Sequence, residues 1–153
     1  MAQLAFEHAR SEKNILRKAL LSLGGRNEII HCEFLVSGMR LSAWQSGGVQ
    51  IRPIGNLNLK DFLVYELGYE VDAQLLSYFE QRQGSKYDTL ALLTDMIGGL
   101  RLKRKDQFFC SEICYEVLKN ELGLNLPSRV PSSVSPQELY AMLEPLHLKQ
   151  IYL

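Results

Sequence analysis

Cys110 is the residue best suited to nucleophilic chemistry in this chain. It lies in Phe109-Cys110-Ser111-Glu112, where a polar loop gives way to a segment with apolar residues at helical spacing. A thiol in the first turn of a helix is close to backbone N–H groups, which favour negative charge by about 0.3–1 kcal/mol. The sequence therefore predicts a thiolate nucleophile at Cys110, and the alternative for the same position is a buried structural cysteine.

His31 offers a base for this thiol. The stretch 29–36 is rich in β-branched and aromatic residues and lies between glycine-containing segments, so it is predicted to be a strand. Alternation along that strand places His31 and Glu33 on one face and Cys32 on the other. A carboxylate that orients an imidazole next to a thiol is the arrangement used by cysteine hydrolases. A solvent-facing polar strip on a half-buried strand is the alternative.

The remaining elements follow from periodicity and turn residues. An apolar stripe that begins after Ser11 and ends before Gly24-Gly25 predicts a first helix. Short connections between the strands predicted at 29–36, 39–44, 48–54 and 62–67 favour an antiparallel sheet. Further helices are predicted around 71–79, from Asp88, over 110–122 and, from a capping box at Ser135, over 136–143. We expect one α+β domain over residues 1–153.

The order of short motifs along the chain resembles that of the NlpC-type papain-like amidases and peptidases. A Gly-x-x-Tyr element at 84–87 precedes Phe109-Cys110-Ser111-Glu112, and Leu126-Pro127-Ser128-Arg129 follows. The strand that carries His31 comes before the cysteine helix, and 30–34 followed by 42–49 resembles the circularly permuted branch of this family. The resemblance extends from Ile29 to Leu143.

This resemblance implies a papain-like core in which an antiparallel sheet packs against a central helix with the nucleophile at its N-terminus. It also implies acyl transfer on an amide bond, first of all in a cell-wall-type peptide or amide. The implied catalytic residues are Cys110, His31 and Glu33. Four further residues are expected to bind the substrate or its oxyanion: Tyr87, Trp44, Gln45 and Ser46.

The chain departs from the family pattern at two positions. Ile30 stands where a small polar residue is expected before the histidine, and Ser46 stands where an acidic residue is expected before Gly47-Gly48. Neither departure removes a reacting group, but the residue that orients His31 stays open, with Ser42 and Gln45 as substitutes for Glu33. The segment 44–48 can form a cleft wall or a hairpin turn, because paired glycines readily adopt positive φ.

Two other functions fit the same residues. Related permuted papain-like proteins act on acyl chains, so a lipid acyl hydrolase or acyltransferase is the first alternative. The second is a non-catalytic virion or scaffold module, because the short chain resembles stand-alone members carried by bacteriophages. An apolar groove beside Cys110 would favour the lipid substrate.

Composition narrows the range of partners. Lys plus Arg and Asp plus Glu each number 17 in 153 residues, so no net field attracts nucleic acid. The basic run 101–105 is typical of a solvated loop. No signal peptide is recognisable at the N-terminus and the apolar runs are short, which predicts a protein that starts in the cytoplasm without stable membrane insertion and leaves virion association open. The sequence does not indicate an oligomeric state.

No cofactor or metal is expected. The three cysteines, an odd number, fit reduced thiols better than a disulfide framework. A zinc site would have to combine His31, Cys32, Cys110 and Cys114, but the spacing of three residues between the last two cysteines differs from the usual two. Cys32 and Cys114 are instead predicted to be inert core residues.

Overall fold

The computed structural model describes residues 1–9, 28–68, 70–87 and 107–151. Within them the protein has an α+β fold, as the sequence predicts: an antiparallel sheet of six strands packs against helices. The sheet strands are β1 (Ala2–His8), β2 (Ile29–Val36), β3 (Met39–Trp44), β4 (Gly48–Pro53), β5 (Phe62–Gly68) and, numbered after two short strands described below, β8 (Gln150–Ile151). Their spatial order is β4-β3-β2-β1-β5-β8.

The β2–β3 hairpin confirms two predicted strands at their full length. Its turn consists of Ser37 and Gly38, whose φ values of 48° and 77° both lie in the left-handed region. Positive φ at both central residues is the geometry of the two-residue turn that matches the twist of the flanking strands. The strands predicted at 48–54 and 62–67 agree with β4 and β5 to within one residue.

Strand β1 is an element that the sequence interpretation did not predict. It lies between β2 and β5 and pairs with both along nearly its whole length. Leu4 and Phe6 are fully buried on one face of this strand, and Ala5 is buried on the other. An antiparallel sheet can leave one face in water, but β1 buries residues on both faces, so the N-terminal segment is part of the core.

The two faces of the sheet have different roles. Cys32, Phe34 and Val36 of β2 belong to the main core beneath the helices, whereas Leu35 packs with Ala5 and Val64 on the opposite face. This alternation confirms that Cys32 faces away from the side that carries Leu35, as predicted. By the same alternation, His31 and Glu33 lie on the face of the sheet that carries Leu35.

Within the described ranges, three α-helices cover the main core. They are α1 (Asp72–Arg82), α2 (Cys110–Glu116) and α3 (Pro136–Leu143), and α2 continues as a π-helical turn over Val117–Glu121. Ser135 caps α3 through the predicted capping box with Glu138. The central helix predicted over 110–122 is therefore present with a change of helical type. The helices predicted from Ser11 and from Asp88 lie outside the described residues.

A second, two-stranded ladder lies beside the start of α2. Strand β6 (Lys86–Tyr87) pairs in parallel with β7 (Gln107–Phe108), which brings Tyr87 opposite Phe108, two residues before Cys110. The segment before β6 is bound to β4, because the N–H of Val49 donates to the carbonyl of Ser85 at 2.8 Å. No helix in the described ranges is long and apolar enough to cross a membrane.

Candidate active site

Cys110 is the first residue of α2, as the sequence predicts. Phe109 before it is extended, with φ −113° and ψ 167°, so the chain enters the helix at the thiol. The residue is 3% exposed and contributes to the main core. Because β2 is the strand that α2 contacts most, the thiol lies against the strand that carries His31.

The sheet opens next to His31. Pairing between β2 and β3 runs only from Val36–Met39 to Phe34–Leu41, whereas β3 and β4 stay paired as far as Trp44. In place of the next ladder contact, the hydroxyl of Ser42 donates to the carbonyl of Cys32 at 2.7 Å. The ring of Trp44 then packs beside the imidazole, with centroids 5.9 Å apart.

Glu33 is the candidate orienting residue that contacts His31. Its Oε2 lies 3.4 Å from Nε2 of His31, and its side chain is fully buried. Of the two substitutes, Ser42 is engaged with a backbone carbonyl, and Gln45 is exposed. The geometry therefore favours Glu33 over both substitutes.

Arg40 holds the carboxylate from its other side. Its Nε lies 2.9 and 3.1 Å from the two oxygens of Glu33, and its Nη2 lies 2.7 Å from Oε2. Burial raises the pKa of Glu33, but His31 and Arg40 lower it more, so this pKa lies below its usual value. Glu33 is thus a buried anion between two cationic groups. Arg40 binds it through two N–H groups of one planar guanidinium, the usual geometry of an arginine–carboxylate pair.

Burial lowers the pKa of His31, but the contacts with Cys110 and Glu33 more than offset this, and the pKa reaches about 10. The imidazolium form is stabilised by the anions on either side of it. The electrostatics of the site therefore favour a proton on His31.

The thiol differs from the prediction. A hydrogen bond with Cys32 and burial raise the pKa of Cys110 well above its usual value, and the contact with His31 opposes them by lowering it. The expected lowering by the helix start is therefore overridden, because a desolvated neighbour that shares the thiol proton stabilises the neutral form. His31 favours the thiolate and Cys32 favours the thiol, so the position of one proton decides the state of the pair.

Cys32 and Cys114 are buried, as predicted for core residues. Burial raises the pKa of both thiols, and Cys32 also interacts with Cys110 and Cys114. Cys32 is therefore more than inert packing, because it bears directly on the ionisation of the candidate nucleophile.

A cavity of about 310 Å³ opens beside His31. Tyr87, Trp44, Gln45 and Ser46, the four residues predicted to contact substrate, all lie in its wall together with His31. Cys110 and Glu33 do not belong to the described part of this wall, in line with their burial. The segment after Trp44 is both a cleft wall and a hairpin turn, since Gly47 and Gly48 have φ of 98° and 70°.

Two arginines of the cavity wall were missed by the sequence interpretation. Arg40 and Arg52 face each other across β3 and β4 in register, on the same side of the sheet as Glu33. A usable signal exists, because the two-residue turn after Val36 fixes the register of β3 and puts Arg40 on the Glu33 face.

The chain matches no protein-family model and no curated protein sequence. Among the described residues, no group of three or more His, Cys, Asp and Glu side chains is arranged to hold a metal ion. The function is therefore inferred from the geometry of the site.

Proposed function

We propose that this protein is a thiol-dependent hydrolase that cleaves an amide bond by acyl transfer, within the circularly permuted branch of NlpC-type papain-like enzymes. One observation carries the proposal: Nε2 of His31 lies 3.4 Å from the buried carboxylate of Glu33, and the pKa of this imidazole is raised by Cys110 as well as by Glu33. These groups supply a nucleophile, a base and an orienting anion in the required sequence of contacts.

Acylation begins from the ion pair, in which His31 holds the proton given up by Cys110, and Sγ of Cys110 attacks the substrate carbonyl carbon. Because Nε2 of His31 faces Glu33, we assign this proton to Nδ1. The developing oxyanion accepts a hydrogen bond from the backbone N–H of Cys110, with the hydroxyl of Tyr87 as a second donor. The C–N bond then breaks, the amine takes the proton from His31, and a thioester remains on Cys110.

Deacylation reverses these roles. His31, now neutral, takes a proton from a water molecule as the water oxygen attacks the thioester carbonyl. The C–S bond breaks, His31 returns the proton to the sulfur, and a carboxylic acid leaves. Glu33, fixed by Arg40, stabilises the imidazolium in each half of the cycle and holds the ring in place.

The cavity wall supports a peptide or amide substrate over an acyl chain. Five of its nine residues carry long polar or charged side chains or the imidazole: Glu7, His31, Arg40, Gln45 and Arg52. Polar groups in such a wall would lose hydrogen bonds to water beside a lipid tail, and each uncompensated loss costs about 1–3 kcal/mol. Lipid esters are therefore the second class of substrate in the experiment that follows.

The proposal is tested with an electrophilic acyl-mimetic probe, followed by a panel of peptides and lipid esters. We expect covalent labelling of wild-type protein at Cys110, visible by mass spectrometry, and its loss in Cys110→Ala and His31→Gln. Cys114→Ala is the matched control, since it removes a buried thiol from the same helix without removing the pair.

Labelling that persists in His31→Gln at the wild-type rate would remove the base from the mechanism. Absence of labelling and of turnover in a folded wild-type protein would favour the non-catalytic scaffold instead. Turnover of lipid esters without peptide cleavage would change the substrate class and leave the catalytic residues unchanged.

A further inference from the structure

Two guanidinium groups stack on Trp44 in the wall of the cavity. The guanidinium carbon of Arg52 lies 4.2 Å from the ring centroid, and that of Arg40 lies 5.6 Å from it. A guanidinium that lies over an aromatic ring can still donate hydrogen bonds from its edge. In Arg40 that edge is taken by Glu33. The cavity thus has a cationic side, of which the proposed hydrolysis uses Arg40 to hold Glu33 and leaves Arg52 without a role.

Arg52 and Arg40 differ in how their charge is compensated. Arg40 is bound to Glu33 by both Nε and Nη2. Arg52 instead donates from Nε to the side-chain carbonyl of Gln50 and from Nη2 to the backbone carbonyl of Ser46, both neutral acceptors. Within the described part of the chain, Arg52 has no carboxylate partner, and its Nη1 forms no hydrogen bond.

The balance of charge in the wall is positive. Arg40, Arg52 and His31 line the cavity, and Glu7 is the single carboxylate among its described lining residues. Glu33, which lies outside this wall, is paired with Arg40, so Arg52 is the lining arginine whose described hydrogen bonds go to neutral acceptors alone. A low-dielectric wall of this kind attracts negative charge to the cavity.

We propose that this cavity binds an oxyanion group of the substrate, a carboxylate or a phosphate, and that Arg52 is the residue that recognises it. The free edge of a stacked guanidinium fits such a group, because its N–H donors lie in one plane with fixed spacing. As a substrate preference, the inference rests on the proposed function; as an anion site beside His31, it can be measured without any turnover.

Binding can be followed directly, because Trp44 is the only tryptophan of the chain and lies under Arg52. The experiment titrates Cys110→Ser protein with inorganic phosphate and, separately, with acetate, at constant ionic strength set by chloride. We expect a saturable change in tryptophan fluorescence, weakened about tenfold or more in Arg52→Gln. The anion that binds more tightly identifies the oxyanion source.

Arg82→Gln is the matched control, because Arg82 is also stacked on an aromatic ring, that of Tyr78, but lies outside the cavity. Its titration should equal that of the parent. A fluorescence change that does not saturate, or that is equal in Arg52→Gln and in the parent, would overturn the inference.

Alkylation of Cys110 gives a second readout. Iodoacetate carries the anion that Arg52 would bind, whereas iodoacetamide has nearly the same shape without the charge. We expect Arg52→Gln to lower the iodoacetate rate about tenfold while the iodoacetamide rate stays unchanged. Equal loss with both reagents would point to a general defect of the site and would reject a role in anion recognition.

The two proposals fail in different ways. Saturable anion binding in a protein that turns over no substrate would contradict the hydrolase alone. Turnover with the same KM for anionic and neutral substrates in wild-type and Arg52→Gln proteins would contradict the anion preference alone.

Discussion

Removing Arg40 should destabilise the protein more than removing its partner Glu33. In Arg40→Met, the carboxylate of Glu33 stays fully buried and keeps only His31 at 3.4 Å as a cationic neighbour. In Glu33→Gln, the arginine that is left keeps 21% of its side-chain surface exposed and opens onto the cavity. The two variants break the same ion pair but leave different groups behind.

The magnitudes follow from this asymmetry. Removing one partner of a buried ion pair costs about 3–5 kcal/mol, because the remaining charge is desolvated without compensation. His31 still faces Glu33 in Arg40→Met, so we expect the lower end, about 3 kcal/mol. In Glu33→Gln, water can reach the arginine and the new amide can still accept a hydrogen bond, so we expect about 1–2 kcal/mol.

Urea unfolding at pH 6 measures both free energies, and thermal unfolding provides a second measure. For a domain of this size, about 3 kcal/mol corresponds to a midpoint lower by about 6–12 °C. The double variant should lose clearly less than the sum of the two single losses, because it leaves no isolated buried charge. Arg129→Met, at an exposed position, is the control and should change little.

Two results would refute this reasoning. A loss in Glu33→Gln as large as in Arg40→Met would show that burial of the remaining group does not set the cost. Strict additivity in the double variant would show that the two side chains do not act as a pair.

Three further predictions concern titration and backbone geometry. The pKa of His31 is raised to about 10, so the stability gained from its protonation is complete below the unfolded pKa of 6.5 and is lost as pH rises towards 10. The thermal midpoint should fall over this pH range, and a fall of the same size in His31→Gln would reject the assignment. Cys32→Ala should lower the pKa of Cys110, because it removes the hydrogen bond that raises it, and should speed alkylation of Cys110 at pH 6.5 as measured by mass spectrometry. Cys114→Ala is the control and should not change this rate. Equal alkylation rates in the two variants would exclude control by Cys32. Gly48→Ala should lower the free energy of unfolding by at least about 1 kcal/mol in a urea titration, because φ of Gly48 is +70° and the added Cβ would lie 1.9 Å from the backbone carbonyl oxygen of Ser85. Unchanged stability would contradict the close approach of the segment around Ser85 to β4.

Local sequence patterns were sufficient to predict the regular strands and the helix starts. The strand that carries His31 and Glu33 was predicted at its observed length, because its β-branched residues and flanking turn leave one plausible register. The helix start at Cys110 and the cap at Ser135 were equally accessible, since each depends on a few neighbouring residues. The geometry of both elements is set within a few residues of chain.

Long-range contacts account for what was missed. Strand β1 owes its stability to two partners that are distant in sequence, so a seven-residue window shows little of it. The raised pKa of Cys110 depends on Cys32, which reaches it only when α2 packs on the sheet. Arg40 is the exception, because it lies seven residues after Glu33 in one hairpin, and the register of that hairpin was enough to assign it. The contacts of β1 and of Cys32 with Cys110 join segments whose relative position follows from tertiary packing.

The central place of β1 has a consequence for the order of folding. This strand cannot complete its pairing until residues 62–68 have returned to it, and contacts between such distant segments form slowly. The meander from β2 to β4 is local and can form early, but it lacks α2. A chain at that stage lacks the packing that brings Cys110 to His31 and Cys32. The raised pKa of this thiol therefore arises only when the helix docks on the sheet, so the ionisation of Cys110 reports whether the fold is complete.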